Sequence, residues 1–76
     1  MKFIYNSQEK IFFNMENIIR VHFFEKNEKV FIRVYFNHPN SGIKTFESSN
    51  KNFLNIKSIE TAFIDFISNS DNIFEV

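Results

Sequence analysis

The sequence predicts an α+β fold: a small antiparallel β-meander of four to five strands with one C-terminal α-helix, at about residues 58–68, packed on one sheet face. Two observations predict it. Short runs rich in Ile, Val, Phe and Tyr alternate with polar connections, which is typical of strands that pair with their chain neighbours. Near the end of the chain the apolar period changes from two to about 3.6, which indicates an amphipathic helix that needs a sheet face to cover.

The composition limits the class of protein. A chain of 76 residues predicts one domain, residues 1–76, with a single core. Nine basic residues balance nine acidic ones, whereas proteins that bind duplex nucleic acid carry a basic excess. The chain has no Cys, which excludes disulfides and thiolate metal sites. It shows no secretory signal and no apolar run of about 20 residues, so we expect a cytoplasmic protein without a membrane segment.

The residue usage indicates the kind of genome that encodes the chain. Phe, Ile, Asn, Lys and Tyr, whose codons are AT-rich, dominate the sequence, whereas Gly, Ala, Arg and Pro are rare. An AT-rich source, such as a low-GC bacterium or its phage, explains this bias. We therefore expect the protein to act in the cytoplasm of a bacterial host.

The predicted strands follow one another with short connections. In chain order they cover residues 2–6, 10–13, 18–25, 30–37 and 43–48. The first two form a predicted hairpin, and residues 14–17 form a turn or a bulge. Residues 37–42 hold the only Pro and the only Gly and predict a loop, and residues 49–52 predict a polar connection. Residues 73–76 predict either a final edge strand or an apolar tail.

The predicted helix has one apolar face. That face is formed by Ile59, Ala62, Phe63, Phe66 and Ile67, which are spaced at i, i+3, i+4, i+7 and i+8. Ser58 is a good N-cap and places Glu60 in the first turn, where the helix dipole favours an anion. A start at Asn55 is the alternative, and the polar segment 68–72 ends the helix.

Alternation along the central hairpin sorts its side chains onto two faces. The wholly apolar faces share one side only if the connecting loop has an even number of residues, and both Asn27-Glu28 and the four residues 26–29 satisfy this condition. The predicted inner pairs, which face the helix, are Phe23 with Ile32, Val21 with Val34, and Ile19 with Phe36. The predicted outer pairs are Phe24 with Phe31, His22 with Arg33, and Arg20 with Tyr35.

The outer face of this hairpin is the candidate partner-binding site. It consists of Arg20, His22, Phe24, Phe31, Arg33 and Tyr35. Three interpretations remain open. In the first, the face is a solvated mixed surface, as is common in antiparallel sheets, or one that the first hairpin covers. In the second, it is a protein interface, because aromatic residues and Arg are enriched at interface centres and Lys is depleted there. Alternatively it binds single-stranded nucleic acid, because bases stack on sheet aromatics beside Arg.

Catalytic chemistry is not indicated by any motif. The two His residues, His22 and His38, lie in separate elements, and one Gly is too few for a phosphate-binding glycine loop. Glu25 and Glu28 flank the tip of the central hairpin, where solvated charge is the ordinary explanation. We therefore expect no catalytic residues, no metal site and no cofactor.

The functional hypothesis is a small non-catalytic protein-binding module. A phage or mobile element would use such a module to modulate or inhibit a host protein machine. The expected partner is another protein or a second copy of the chain; the alternative is a single-stranded nucleic-acid-binding domain that uses the outer face. A second contact mode is strand addition at a sheet edge, through residues 43–48 or 73–76.

Overall fold

A computed structural model describes residues 1–37 and 42–76. Its elements are β1 (Phe3–Asn6), β2 (Ile11–Asn14), a 3₁₀ turn (Met15–Asn17), β3 (Ile18–Lys26), β4 (Lys29–Phe36), β5 (Ile43–Glu47), α1 (Ile56–Ser68) and β6 (Ile73–Glu75). The α+β class with a C-terminal helix is confirmed. The predicted loop at 37–42 lies mostly outside the described residues, and so does His38.

The strands are divided between two three-stranded sheets. The second sheet has the order β3-β4-β5 and is an antiparallel meander, as predicted. The first sheet has the order β2-β1-β6, and β6 runs parallel to β1 with Ile4 opposite Phe74. The end of the chain is thus an edge strand rather than an apolar tail. The strands form two sheets rather than the single meander expected from the sequence because β2 does not pair with β3, its neighbour along the chain.

The turn of the central hairpin has two residues. Lys26 pairs with Lys29, and the intervening Asn27 and Glu28 have φ values of 53° and 65°. Two successive positive φ values are typical of a type I′ turn, whose twist matches that of the flanking strands. The shorter of the two predicted loops is therefore the observed one, and it gives the predicted register over most of the hairpin.

A β-bulge changes the register at the start of β3. Ile18 lies opposite Phe36 and Arg20 opposite Tyr35, so Ile19 is an extra residue without a partner on β4. Ile19 is 70% exposed, and its predicted place in the core opposite Phe36 is wrong. The pairs of Val21 with Val34 and of Phe23 with Ile32 are confirmed.

The core lies between the inner face of the second sheet and a layer made of the first sheet and α1. Its buried apolar residues are Ile4, Val30, Ile32, Val34, Phe46, Ile59, Phe66, Phe74 and Val76. Phe63 of α1 packs against Phe23 of β3, with ring centroids 5.3 Å apart. Phe13 of β2 packs against Phe36 and Phe46, at 5.9 and 5.6 Å. The first hairpin thus shares the inner face with the helix and does not lie over the outer face.

The N-cap of the helix lies three residues before Ser58, the N-cap first predicted from the sequence. Asn55 is the N-cap, and Ser58 completes a capping box from the third helical position, so the alternative start is confirmed and Ser58 is not the N-cap. The first turn consequently contains no acidic residue, and Glu60 lies beyond it. The anion at this terminus comes from β3 instead, because Glu25 Oε1 accepts a hydrogen bond of 2.8 Å from the backbone N–H of Ile56.

The buried face of α1 is narrower than the predicted stripe. Ile59 and Phe66 are buried, and Ala62 and Phe63 pack partly buried against the core. Ile67 is 49% exposed, so its predicted place on the inner face is wrong. The helix packs on the β3 side of the second sheet through Phe63 and Phe23, whereas β2 of the first sheet packs against β5 through Phe13 and Phe46.

Candidate partner-binding face

Three cross-strand pairs bring the outer-face residues together. Arg20 lies opposite Tyr35, His22 opposite Arg33, and Phe24 opposite Phe31, all in the predicted register. Side chains at directly opposite positions of an antiparallel pair lie within contact distance of each other. The six residues therefore form one continuous patch on β3 and β4.

Phe24 connects several members of this patch. Its ring stacks on that of Phe31, with centroids 5.4 Å apart and an interplanar angle of 11°. The imidazole of His22 lies 5.6 Å from the ring of Phe24. The guanidinium carbon of Arg33 lies 4.9 Å above the same ring. One aromatic ring thus contacts three other members of the outer face.

Both guanidinium groups are held in place by the patch. Arg20 lies over the ring of Tyr35, with its guanidinium carbon 4.9 Å from the ring centroid. Arg33 lies over Phe24, and its Nε donates a hydrogen bond of 3.1 Å to Thr45 Oγ1. Each cation–ring contact stabilises this arrangement by about 0.5–1 kcal/mol at an exposed site.

The third strand extends the outer face beyond the predicted residues. β5 places Ile43, Thr45 and Glu47 opposite Tyr35, Arg33 and Phe31. Ile43 is 59% exposed, which adds apolar area at the Tyr35 end. Strand alternation within residues 43–48 contained this information, but it could be used only once the pairing of β4 with β5 was fixed.

The outer face carries an excess of positive charge although the chain is neutral. Lys26 and Lys29 pair at the hairpin end of the same face. With the two Arg residues they make four permanent cations, against one acid, Glu47, whose Oε1 lies 4.0 Å from Lys29 Nζ. The compensating acids lie elsewhere: residues 58–76 contain four Asp and Glu and no Lys or Arg.

Access to the outer face is open within the described residues. Arg20 and His22 are exposed, and Phe24, Phe31, Arg33 and Tyr35 are half-buried. The half-buried members owe their burial to contacts with one another and with neighbouring strands, because the first hairpin and α1 both pack on the opposite face. Among the described residues, neither the first hairpin nor α1 therefore covers the patch.

The described residues offer no candidate for two other kinds of site. No group of three His, Cys, Asp or Glu side chains that could hold a metal ion occurs in residues 1–37 and 42–76. Within those ranges, too, no helix has the length and apolar character needed to cross a membrane. Every buried side-chain nitrogen or oxygen in the described part of the chain has a hydrogen-bond partner.

Comparisons with protein-family models, with curated proteins and with solved structures found no match to the chain. The functional proposal therefore depends on the chemistry of the outer face itself.

Proposed function

We propose that the protein is a non-catalytic binding module that attaches to the surface of another protein through its outer face. The observation that carries the proposal is the pair of guanidinium groups that lie over the rings of Tyr35 and Phe24 on the outer face of β3 and β4. Arg and aromatic side chains are the types that dominate the energy of protein interfaces. Here they form one continuous surface on two long paired strands.

Preorganisation of the two Arg side chains favours binding. A free surface Arg loses rotamer entropy when a partner immobilises it, which costs about 0.5–1.5 kcal/mol per side chain. Arg33 is already fixed by the Phe24 ring and by Thr45, and Arg20 is fixed by Tyr35. Their remaining N–H groups are therefore available to carboxylates at a lower entropic cost.

The charge of the outer face supports an acidic partner. Four cations and one acid favour a surface that combines carboxylates with an apolar patch for Phe31, Tyr35 and Ile43. The same cations disfavour a second copy of this face, since symmetry would place like charges against each other. We therefore assign the outer face to a different, acidic protein.

Single-stranded nucleic acid is the alternative ligand, and the basic aromatic sheet favours it. Bases bind such sheets by stacking on open ring faces. On the outer face, however, guanidinium groups already lie over the rings of Phe24 and Tyr35. A base would have to displace them or stack on the guanidinium planes, so the geometry supports a protein partner better.

The proposed mode of action is occupation of the partner's surface. A module of 76 residues with a neutral net charge can block an acidic site or alter an assembly without doing chemistry itself. The AT-rich residue usage suits a phage or a mobile element of a low-GC bacterium. A modulator or inhibitor of a host protein machine is the form of this function that we propose.

Charge reversal on the outer face tests the proposal. The double variant Arg20→Glu, Arg33→Glu removes both stacked cations, whereas the control Lys51→Glu, Lys57→Glu makes the same change of charge at exposed positions away from the outer face. Tagged proteins are used to isolate partners from a low-GC bacterial lysate, and each isolated partner is then titrated in purified form by calorimetry. Oligo(dT) binding is measured in parallel by fluorescence anisotropy.

The expected result is that the wild type and the control bind one purified acidic partner and that the outer-face variant loses at least tenfold in affinity. Loss of about 1.4 kcal/mol corresponds to that factor. Equal partner affinity of all three proteins would contradict the proposal. Oligo(dT) binding that is lost only in the outer-face variant would instead establish the nucleic-acid alternative.

A further inference from the structure

The first sheet presents a second exposed face of a different character. Opposite the side that packs into the core, it carries Phe3, Tyr5, Phe12, Asn14, Ile73 and Glu75. The ring of Phe12 stacks on that of Tyr5, with centroids 4.3 Å apart, and lies edge-on to that of Phe3, with centroids 6.1 Å apart. Phe12 is nevertheless 56% exposed. Glu75 is the one charged side chain of this apolar face.

Phe12 also has backbone groups that point away from its own sheet. The backbone N–H of Met15 donates a hydrogen bond to the C=O of Lys2. Because hydrogen-bonded and non-hydrogen-bonded pairs alternate along an antiparallel ladder, the even-numbered residues of β1 bond to β2. The odd-numbered residues bond to β6, as the bond from Val76 N–H to Tyr5 C=O shows. Phe12 faces Tyr5, so its N–H and C=O lie on the outer edge of β2. Within the described ranges no strand pairs with that edge.

The other sheet edges carry features that oppose strand addition. On β6, the outward carbonyl of Glu75 accepts a hydrogen bond of 2.9 Å from the Asn50 amide. β3 has a bulge at Ile19 and carries charged residues along its length. β5 carries Lys44, which is paired with Glu9 at 3.4 Å. Charges, bulges and covering side chains are the usual protection of edges.

The edge of β2 has none of these features. Its four residues, Ile11–Asn14, include no charge and no Pro, and they follow the regular pairing with β1. We therefore favour this edge over the two that the sequence suggested for strand addition, at residues 43–48 and 73–76.

We propose that two copies of the chain associate by antiparallel pairing of β2 with β2 about a twofold axis at Phe12. The two Phe12 residues exchange their free N–H and C=O groups, and the two sheets become one sheet of six strands. The Phe12 rings then meet across the axis, each already stacked on a Tyr5 ring. Cross-strand aromatic pairs of this kind stabilise sheets.

The charge pattern selects a second copy as the occupant. In this register Lys10 lies opposite Asn14 of the second copy, so the edge brings no like charges together. Glu75 lies on the strand farthest from the axis, and its two copies are about 24 Å apart at about 4.8 Å per strand, well beyond a Debye length of about 8 Å. An isologous contact requires such a self-compatible surface, which the cationic outer face lacks.

The oligomeric mass of the full chain tests the proposal. Sedimentation velocity of the wild type, from low micromolar to millimolar concentration, is expected to show conversion to a species of twice the monomer mass. Phe12→Lys is expected to abolish that species, because it places two cations at the axis. The control Ile64→Lys alters a side chain on α1 that is 62% exposed, and it is expected to dimerise like the wild type.

Hydrogen exchange of the wild type provides a test that needs no variant. The Phe12 amide is expected to become protected as the concentration rises, whereas the Phe13 amide, which faces Ile4 within one copy, is expected to be protected throughout. A wild type that stays monomeric, a dimer that survives Phe12→Lys, equal loss in Ile64→Lys, or a Phe12 amide that exchanges fast at every concentration would each overturn the proposal.

Discussion

Lys2 links the first strand to the far end of the helix. Its Nζ donates hydrogen bonds to the backbone carbonyls of Phe66 at 2.8 Å, Asn69 at 2.9 Å, and Asp71. It also lies 4.5 Å from the centroid of the Phe66 ring. The last carbonyls of a helix lack intrahelical partners and carry the negative end of its dipole. One ammonium group therefore satisfies a helix end that has no basic residue in its own last turn.

Replacing Lys2 by Met should lower the free energy of unfolding by about 1–2 kcal/mol. Met keeps the apolar stem but removes the charged donor, and hydrogen bonds to charged groups contribute about 1.5–3 kcal/mol before allowance for partial exposure. Urea unfolding followed by circular dichroism measures the loss. The matched control is Lys57→Met at an exposed helix position, which should change stability by less than about 0.5 kcal/mol. Equal effects of the two variants would refute this role.

Asn6 shows how a single buried side chain orders a turn. It is 1% exposed, and its Oδ1 accepts hydrogen bonds of 3.2 Å from the backbone N–H groups of Gln8 and Glu9. Its Nδ2 donates to Glu9 Oε2 at 3.0 Å. In a chain so rich in Asn, nothing in the sequence distinguishes this residue from its exposed counterparts. Its role depends on its burial at the end of β1, which only the folded structure shows.

At the scale of elements, the start of α1 was ambiguous for a physical reason. Both Asn55 and Ser58 are residue types that cap helices, and they are three positions apart, as in a capping box. The structure uses both: Asn55 Oδ1 accepts from Ser58 N–H at 2.9 Å, and Asn55 N–H donates to Ser58 Oγ at 3.3 Å. Glu25 from β3 then satisfies Ile56 N–H, a partner that no local pattern reveals.

Asn55→Ala should destabilise the protein by about 1 kcal/mol, within the usual range of about 0.5–2 kcal/mol for loss of an N-cap. The variant leaves the Ser58 N–H without its acceptor and frays the first turn. Thermal unfolding measures the effect, which should be a decrease in Tm of about 4–8 °C for each kcal/mol in a domain of this size. Asn52→Ala, at an exposed position in the preceding turn, should leave Tm unchanged; a comparable decrease there would argue against the capping box.

The central hairpin shows which features of an element its sequence determines. Alternation and loop parity predicted the outer pairs because a slip of one residue would turn the apolar set toward water. The bulge at Ile19 could not be predicted, since Ile18 and Ile19 are identical in type and either satisfies the pattern. The three predicted outer pairs are confirmed because their six residues lie on the hairpin side of the bulge, from Arg20 onward.

At the scale of the whole molecule, one core connects the helix with both sheets. Phe66 is 3% exposed, and its ring centroid lies 5.3 Å from that of Phe74 in β6 and 6.1 Å from that of Phe63. Phe63 in turn reaches Phe23 of the second sheet. These rings join α1 to both sheets, so their loss affects all three at once.

Phe66→Ala should cost about 3–5 kcal/mol, which is the usual loss for a large buried aromatic side chain. That loss is comparable with the whole stability of a small domain, so the variant should be largely unfolded at 37 °C by near-ultraviolet circular dichroism. Ile67→Ala, next to it in the chain but 49% exposed, should cost less than about 1.5 kcal/mol. A similar cost for both variants would show that the assigned helix face is wrong.

Charge is distributed unevenly over the molecule. The outer face has four cations and one acid, the apolar face has Glu75 alone, and residues 58–76 hold four acids without a base. Two surfaces of such different charge suit two different occupants. The cationic face suits an acidic protein, whereas the edge beside the apolar face suits a second copy, and each proposal can fail without the other.

The sequence by itself determined the α+β class, the approximate elements and the side-chain sorting of the central hairpin, because these depend on periodicity and on contacts between chain neighbours. The tertiary structure alone decided that β6 pairs with β1, that the first hairpin shares the inner face with the helix, and that no strand of the described residues pairs with the outer edge of β2. Those features depend on contacts between residues up to about seventy positions apart, such as Phe3 with Asn72. Local pattern carries no information about such pairs, since the burial that selects them exists only in the folded chain.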